Sequence, residues 1–153
     1  MKIPAAEEVK KYFTGIGFTL EIATNTRSRP CRKLFRIIDR NGTQWSNDFE
    51  SIVDLWCWWL DFVACCLHEE QSAKTFIDKY WSASDECKKE MESWLDLYQK
   101  EETPKEMTAL IYSVPPITAD NLPNNWRLRI SNQLKDGQGS FSFITAVKKV
   151  IRL

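Results

Sequence analysis

The sequence predicts an α+β fold in a single domain spanning residues 1–153, and three observations lead to this expectation. Two short segments near the N-terminus alternate apolar and polar residues, as half-buried strands do. A longer segment after them repeats apolar residues at helical spacing and is apolar on most sides. No internal repeat or Pro/Gly-rich linker divides the chain. We therefore expect a small antiparallel sheet near residues 18–45, packed against a bundle of about three to five helices.

The first 45 residues predict a short helix followed by an antiparallel meander. Residues 4–13 place acidic side chains before basic ones, which suits the helix dipole, and glycines follow them. Residues 18–24 and 34–39 alternate in polarity and are expected to form two strands. The sequence Asp39-Arg40-Asn41-Gly42 is typical of a tight turn, because Asn and Gly tolerate positive φ. Residues 43–45 can then begin a third strand.

The centre of the chain predicts three helices. Residues 46–67 are expected to form a central helix with Ser46 or Asn47 as its N-cap. Its apolar stripe is wide enough to place the helix inside the core. Residues 72–81 and 84–100 also repeat apolar side chains at helical spacing, so two further, separate helices are expected.

The C-terminal third contains one ambiguous segment. Residues 103–111 predict a short helix that begins at a proline, and residues 140–152 predict a terminal helix with basic residues at its end. In residues 126–130 the alternation of apolar and basic side chains favours a strand. The i, i+4, i+8 spacing of three apolar residues from Trp126 favours a helix. We favour a strand here, as an addition to the sheet.

Composition restricts the class of protein. The formal net charge is zero, and the five cysteines are an odd number without an apolar leader before them. These features indicate free thiols and a cytoplasmic location. Asp54 and Asp61 interrupt the longest apolar-rich stretch, residues 52–67, so we expect no membrane span. No nucleotide-binding or other cofactor motif is present in the sequence, and we expect no cofactor.

Charge is sorted along the chain into three blocks. Residues 1–44 contain nine Lys/Arg and four Asp/Glu, residues 45–106 contain six and fifteen, and residues 107–153 contain six and two. Blocks of opposite sign indicate the kind of partner rather than the fold. An acidic surface attracts basic partners, and basic ends attract phosphates or acidic surfaces.

The acidic block supplies the first candidate site. We predict that Glu86, Glu90, Glu92 and Asp96 form an acidic helical face that binds a protein partner with a basic surface. Carboxylates at this density can dock on a basic cleft or imitate an array of phosphates. The alternative is an ordinary solvated helix face, which runs of charge usually form.

The basic N-terminal block supplies a second candidate patch. Arg27, Arg29 and Arg32 are predicted to bind a partner, and Arg36 and Arg40 follow them along the predicted hairpin. Guanidinium groups on an exposed ribbon can meet phosphates or carboxylates. The alternative is that these arginines pair with carboxylates of the same chain.

These patches lead to one functional hypothesis and one rival of another class. The first is a non-enzymatic protein that binds and blocks a partner, as an immunity protein or a phage-type inhibitor of a nucleic-acid-binding defence complex does. The rival is a nucleic-acid-binding module using the arginine hairpin. A sequence pI of about 6.6 argues against this rival. Further cations that it would use are Arg127, Arg129, Lys148 and Lys149.

A third hypothesis is a cysteine-dependent enzyme. His68 is the only histidine, and it lies one helical turn after Cys65 and two residues after Cys66. A nucleophilic pair requires the thiol and the imidazole within hydrogen-bond reach. A structural cysteine beside a helix-end histidine explains the same residues, so we expect no catalytic residue. The cysteine spacing does not match common zinc sites, and we expect no metal.

Overall fold

The computed structural model describes residues 3–27, 29–135 and 143–151. Within these ranges two strands and six helices follow one another along the chain. Their bounds are α1 Ala6–Gly15, β1 Thr19–Asn25, β2 Arg32–Ile38, α2 Ile52–Ser82, α3 Asp85–Gln99, α4 Lys105–Tyr112, α5 Trp126–Lys135 and α6 Phe143–Ile151. The predicted α+β class with a small antiparallel sheet is confirmed.

The chain divides into two compact units, residues 1–63 and 64–153. The division falls inside α2, so the first part of that helix belongs to the first unit, together with α1, β1 and β2. The remainder of α2 and helices α3 to α6 belong to the second unit. The expectation of a single domain for the whole chain stays a prediction.

The sheet of the first unit is an antiparallel pair of strands, in register from Thr19 opposite Ile38 to Asn25 opposite Arg32. The third strand expected at residues 43–45 is wrong. After the turn, the chain makes only isolated bridges to β2, at Gln44 and Phe49. These residues run beside β2 without the continuous ladder that defines a strand.

Aromatic side chains fill the core of the first unit. Trp59 is fully buried, and its ring centroid lies 5.1 Å from that of Phe13 and 5.9 Å from that of Phe18. Its indole Nε1–H donates a hydrogen bond to the Tyr12 hydroxyl at 3.1 Å. The indole nitrogen is therefore satisfied within the core, which a buried polar group requires.

Helix α2 begins later than the sequence predicted. The expected caps, Ser46 and Asn47, precede the helix by several residues. The side-chain hydrogen bond at the N-terminus of α2 comes instead from Ser51, whose Oγ accepts the Asp54 N–H at 3.1 Å. Ser46 is buried, and its Oγ accepts the N–H of Ile37 at 3.0 Å, so this side chain bonds to the backbone of β2 and does not cap α2.

Helix α2 also ends later than predicted. A helix end near residue 67 and a separate helix at residues 72–81 are both wrong, because one helix of 31 residues covers the two segments. The polar residues between them contain no Gly or Pro to stop a helix. Two of these residues make bonds within the second unit: Glu69 accepts the Phe143 N–H at 3.1 Å, and Glu70 pairs with Arg129.

The strand favoured at residues 126–130 is also wrong, because these residues begin helix α5. Leu128 is 63% exposed while Ile130 is fully buried, so the apolar alternation did not mark one buried face. The Arg129 guanidinium lies 3.1 Å from a Glu70 carboxylate oxygen and ties α5 to α2 within the second unit.

The second unit has a core of its own, and the predicted helix at residues 84–100 is confirmed as α3. Ser84 is its N-cap, and its Oγ accepts the Cys87 N–H at 3.3 Å. Among the described residues no helix is both long and apolar enough to cross a membrane. The buried residues of this core are Ala73, Phe76, Tyr80, Met91, Leu95, Met107, Leu110, Phe143, Val147 and Ile151.

Candidate functional site

The second unit contains an open groove of about 470 Å³ between the C-terminal part of α2 and helices α3 and α4. Its volume lies within the range of about 300–1,000 Å³ that is typical of ligand pockets in proteins. Most of its lining is apolar or weakly polar. These lining residues are Ala83, Cys87, Met91, Trp94, Ala109 and Leu110.

The groove follows from the spacing of residues on two helices. Cys87, Met91 and Trp94 lie at i, i+4 and i+7 on α3, so they share one side of that helix. Facing them are Ala109 and Leu110 of α4. Because alanine has only a methyl side chain, it leaves space between the helices that a larger residue would fill.

The four acidic residues predicted to form one face are divided between two sides of α3. At about 100° per residue, Glu90 lies about 70° and Glu86 about 110° from the mean direction of the groove-lining residues of α3, so both flank the groove without lining it. Asp96 points roughly 170° away from the groove. Glu92 is half-buried and accepts a hydrogen bond from the Tyr80 hydroxyl at 2.8 Å. The four predicted carboxylates therefore do not share one side of α3: Glu86 and Glu90 lie on the flank nearer the groove, and Glu92 and Asp96 lie on the far side.

The acidic residues of the two sides differ in their partners. Asp96 lies 4.0 Å from the Lys148 Nζ. The pKa of Tyr80 is raised, first by its hydrogen bond to Glu92, then by burial and by the negative charge of Glu92. Glu86, Glu90 and Glu106 are exposed. In the part of the chain that the structure describes, the carboxylates of these three residues have no hydrogen bond or ion pair.

One carboxylate at the groove was not among the predicted site residues. Glu106 lines the groove from α4, together with Lys79 from α2. The sequence offered no signal for Glu106, since its position at the groove depends on the packing of α4 against α3. The apolar residues Cys87, Met91 and Trp94 belong to the apolar repeat at helical spacing from which the sequence predicted a helix at residues 84–100.

Pairing within the chain neutralises part of the arginine patch in the first unit. Arg32 lies 2.9 Å from Glu50 in an exposed pair. Arg36 pairs with Glu21 and lies 3.4 Å from Asp48. The hydrogen bond to Glu21 is the main cause of a raised pKa at Arg36, which the charge of Asp48 also favours. These two arginines are thus paired with carboxylates of the first unit, of which only Glu21 belongs to the sheet.

The remaining arginines of this patch differ from one another. Arg27 and Arg29 are exposed. Arg40 packs its guanidinium against Gly17, where φ is +92° and a Cβ would overlap the Arg40 side chain. The positive φ favours glycine at residue 17, whereas the overlap with the flexible end of the Arg40 side chain would not by itself exclude a larger residue.

Other cations of the nucleic-acid hypothesis are also engaged within the second unit. The Arg127 guanidinium lies 5.2 Å from the ring centroid of Trp126, and Arg129 pairs with Glu70. Lys148 donates a hydrogen bond to Gln99 at 2.6 Å. Three of these four cations therefore already have partners, whereas Lys149 has no hydrogen bond, ion pair or ring contact among the described residues.

The cysteine and histidine candidates lie in different environments on α2. Cys66 is buried, Cys65 is exposed, and His68 is half-buried beside a cavity of about 50 Å³. No hydrogen bond joins Cys65 to His68 among the described residues. Within the same described residues, no group of three or more His, Cys, Asp or Glu side chains is placed to hold a metal ion.

No protein-family model, curated protein or solved structure matches this chain. Function is therefore inferred from its residues and their geometry. Of the surfaces described above, the groove of the second unit combines volume, apolar lining and unpaired charge. It is the candidate functional site.

Proposed function

We propose that this protein is a non-enzymatic binding protein whose groove receives an amphipathic helix of a partner protein. The apolar face of that helix enters between α3 and α4, and its Lys or Arg side chains meet the carboxylates beside the groove. Amphipathic helices commonly bind in grooves of this kind, with the apolar residues as anchors. The partner therefore carries a basic surface.

One observation carries this proposal: Glu106 lines an apolar groove, Glu86 and Glu90 flank that groove on α3, and none of the three carboxylates has a hydrogen bond or ion pair among the described residues. Glu86 and Glu90 are one helical turn apart, and like charges at this spacing destabilise a helix by about 0.2–0.5 kcal/mol. Cations of a partner would relieve that repulsion. The acidic residues elsewhere on α3, Glu92 and Asp96, already have neighbours within the unit.

The charge of the surrounding segment supports the same class of partner. Residues 85–106 contain eight Asp/Glu and four Lys. A surface of this sign attracts basic proteins and repels nucleic acid. Covering a basic surface blocks its access to phosphates, so we propose the role of an inhibitor or immunity-type protein in the cytoplasm, with a toxin or a nucleic-acid-binding defence complex as the target.

Affinity capture from the lysate of the native host tests the proposal. The bait is compared with a groove variant, Glu86→Lys with Glu90→Lys and Glu106→Lys. A matched control carries the same change of charge at exposed residues that do not line the groove, as Asp85→Lys with Glu102→Lys and Asp120→Lys. We expect a basic protein that binds the wild type and the control and is lost from the groove variant.

A second variant tests the apolar part of the groove without changing its charge. Ala109 is exposed and lines the groove, so Ala109→Trp fills space without disturbing the buried core. Loss of the same partner from this variant is expected. Retention of the partner by both groove variants would contradict the proposal, and recovery of nucleic acid instead of protein would favour the rival function.

A further inference from the structure

Within the residues that the structure describes, strand β1 of the first unit has one edge without a neighbouring strand. The two-stranded sheet pairs β1 with β2, and the bridges at Gln44 and Phe49 lie on the other side of β2. Unpaired edges are templates for adding another strand, and proteins usually protect them with charge, proline or a covering element. The edge of β1 is therefore a candidate surface for pairing with a further strand.

The hydrogen bonds of β2 establish which groups this edge presents. Phe35 exchanges both backbone bonds with Phe49, at 2.7 and 2.9 Å, and the Ile37 carbonyl accepts the Trp45 N–H at 3.0 Å. In an antiparallel strand the N–H and C=O of one residue point to the same side. Phe35 and Ile37 therefore point away from β1.

The register then fixes the orientation of β1. Phe35 lies opposite Ile22 and Ile37 lies opposite Leu20, and Thr24 is two residues further along the same strand. Since these are the pairs without hydrogen bonds between the strands, the N–H and C=O groups of Leu20, Ile22 and Thr24 point outward. Among the described residues no backbone hydrogen bond reaches these groups from outside the ladder.

The side chains on this edge are suited to a second copy of themselves. Ile22 is 54% exposed, which is unusual for isoleucine on a strand. In an antiparallel pair centred on Ile22, this residue lies opposite its own copy and Leu20 lies opposite Thr24. The one charged residue of β1, Glu21, lies opposite Ala23, so no like charges meet.

We propose that two copies of this chain join along β1 as an antiparallel pair centred on Ile22. The three outward residues of each copy then exchange backbone hydrogen bonds, and the two hairpins become one four-stranded sheet. A two-stranded hairpin is marginal by itself, and a wider sheet with a continuous apolar face is more stable. The interface has twofold symmetry, which is the commonest arrangement of homodimers.

Sedimentation equilibrium over a range of protein concentrations tests the dimer. The wild type is expected to approach twice the 17.9 kDa monomer mass. Ile22→Lys places two like charges opposite each other and should shift the species to the monomer mass. Val53→Lys is the matched control, because Val53 is also exposed, at 40%, but belongs to α2; this variant should remain dimeric. Far-UV circular dichroism checks that both variants are folded.

Disulfide cross-linking tests the register. In a background with the exposed Cys31 and Cys65 changed to Ser, Ile22→Cys should form a covalent dimer under mild oxidation, because hydrogen-bonded pairs have Cα atoms about 5.5 Å apart. Thr24→Cys lies four residues from its own copy, about 14 Å along the strand, which is beyond disulfide reach. It should not cross-link.

Three outcomes would overturn this proposal. The first is a wild type that is monomeric at every concentration. This result is also expected if the edge of β1 binds only the strand of a different protein. A dimer that survives Ile22→Lys would place the interface elsewhere. Equal cross-linking at residues 22 and 24 would reject the register.

Discussion

Truncation of Leu95 to alanine is expected to lower the free energy of unfolding by about 3–4 kcal/mol. Leu95 is fully buried in the core of the second unit and holds α3 against it. The substitution removes three carbon groups, at about 0.8 kcal/mol for each. The cavity left behind adds to this loss, and the total falls within the range of roughly 2–5 kcal/mol for buried leucines.

Urea unfolding followed by far-UV circular dichroism measures this loss. Leu97→Ala is the matched control, because it makes the same substitution in the same helix at a half-buried residue. Helix propensity changes equally in both variants, so their difference isolates core packing. We expect a loss below about 1.5 kcal/mol for the control, with no change in m-value for either variant.

The reasoning would be refuted if both variants lost the same stability, or if Leu95→Ala lost less than about 1.5 kcal/mol. The first result would mean that α3 is not held by the buried side of its stripe. The second would mean that the core around Leu95 collapses to fill the cavity. At a concentration of urea where the variant is folded, partner binding at the groove should be unchanged.

Three further predictions concern polar groups. The pKa of Asp39 is lowered, first by a hydrogen bond from the Thr43 N–H and also by hydrogen bonds from Asn41 and Trp45. The ionised carboxylate therefore stabilises the fold at pH values above its ordinary pKa of 3.8. That contribution is lost as the pH falls through the lowered value, and in acid titrations followed by circular dichroism Asp39→Asn should flatten this pH dependence. Among the described residues the buried Ser72 Oγ has no hydrogen-bond partner, so Ser72→Ala should leave the free energy of unfolding unchanged or raise it by up to about 1 kcal/mol in urea unfolding. A loss of more than about 1 kcal/mol would show that the hydroxyl has a partner. Ser84→Ala removes the cap of α3 and should cost about 0.5–1 kcal/mol in the same assay, near the lower end because the bond is 3.3 Å long; no loss would exclude a stabilising cap.

Local patterns predicted the elements whose buried face is regular. The strands β1 and β2 alternate in polarity, and α3 has a clear stripe with Ser84 before it, so all three were predicted within a few residues. At residues 126–130 the alternation was misleading, since Leu128 is exposed although it is apolar. The helix at these residues buries Ile130 and pairs Arg129 with Glu70. Both features depend on tertiary packing, which a local pattern does not contain.

The candidate site was predictable only in part, for the same reason. The charge sequence predicted that α3 carries many carboxylates, but it could not tell which of them would find partners. Glu92 and Asp96 meet Tyr80 and Lys148, which are distant in the sequence, whereas Glu86 and Glu90 do not. The groove arises from the pairing of α3 with α4, so no local pattern contains it.

The placement of tryptophan in the two units has an optical consequence. Trp59 is fully buried, so a quencher dissolved in water cannot reach it, whereas Trp81 is 56% exposed and can be quenched. Trp94 is half-buried and lines the groove. A ligand that fills the groove would shield Trp94 from the quencher and change its emission. Intrinsic fluorescence can therefore report occupancy of the groove in the unlabelled protein.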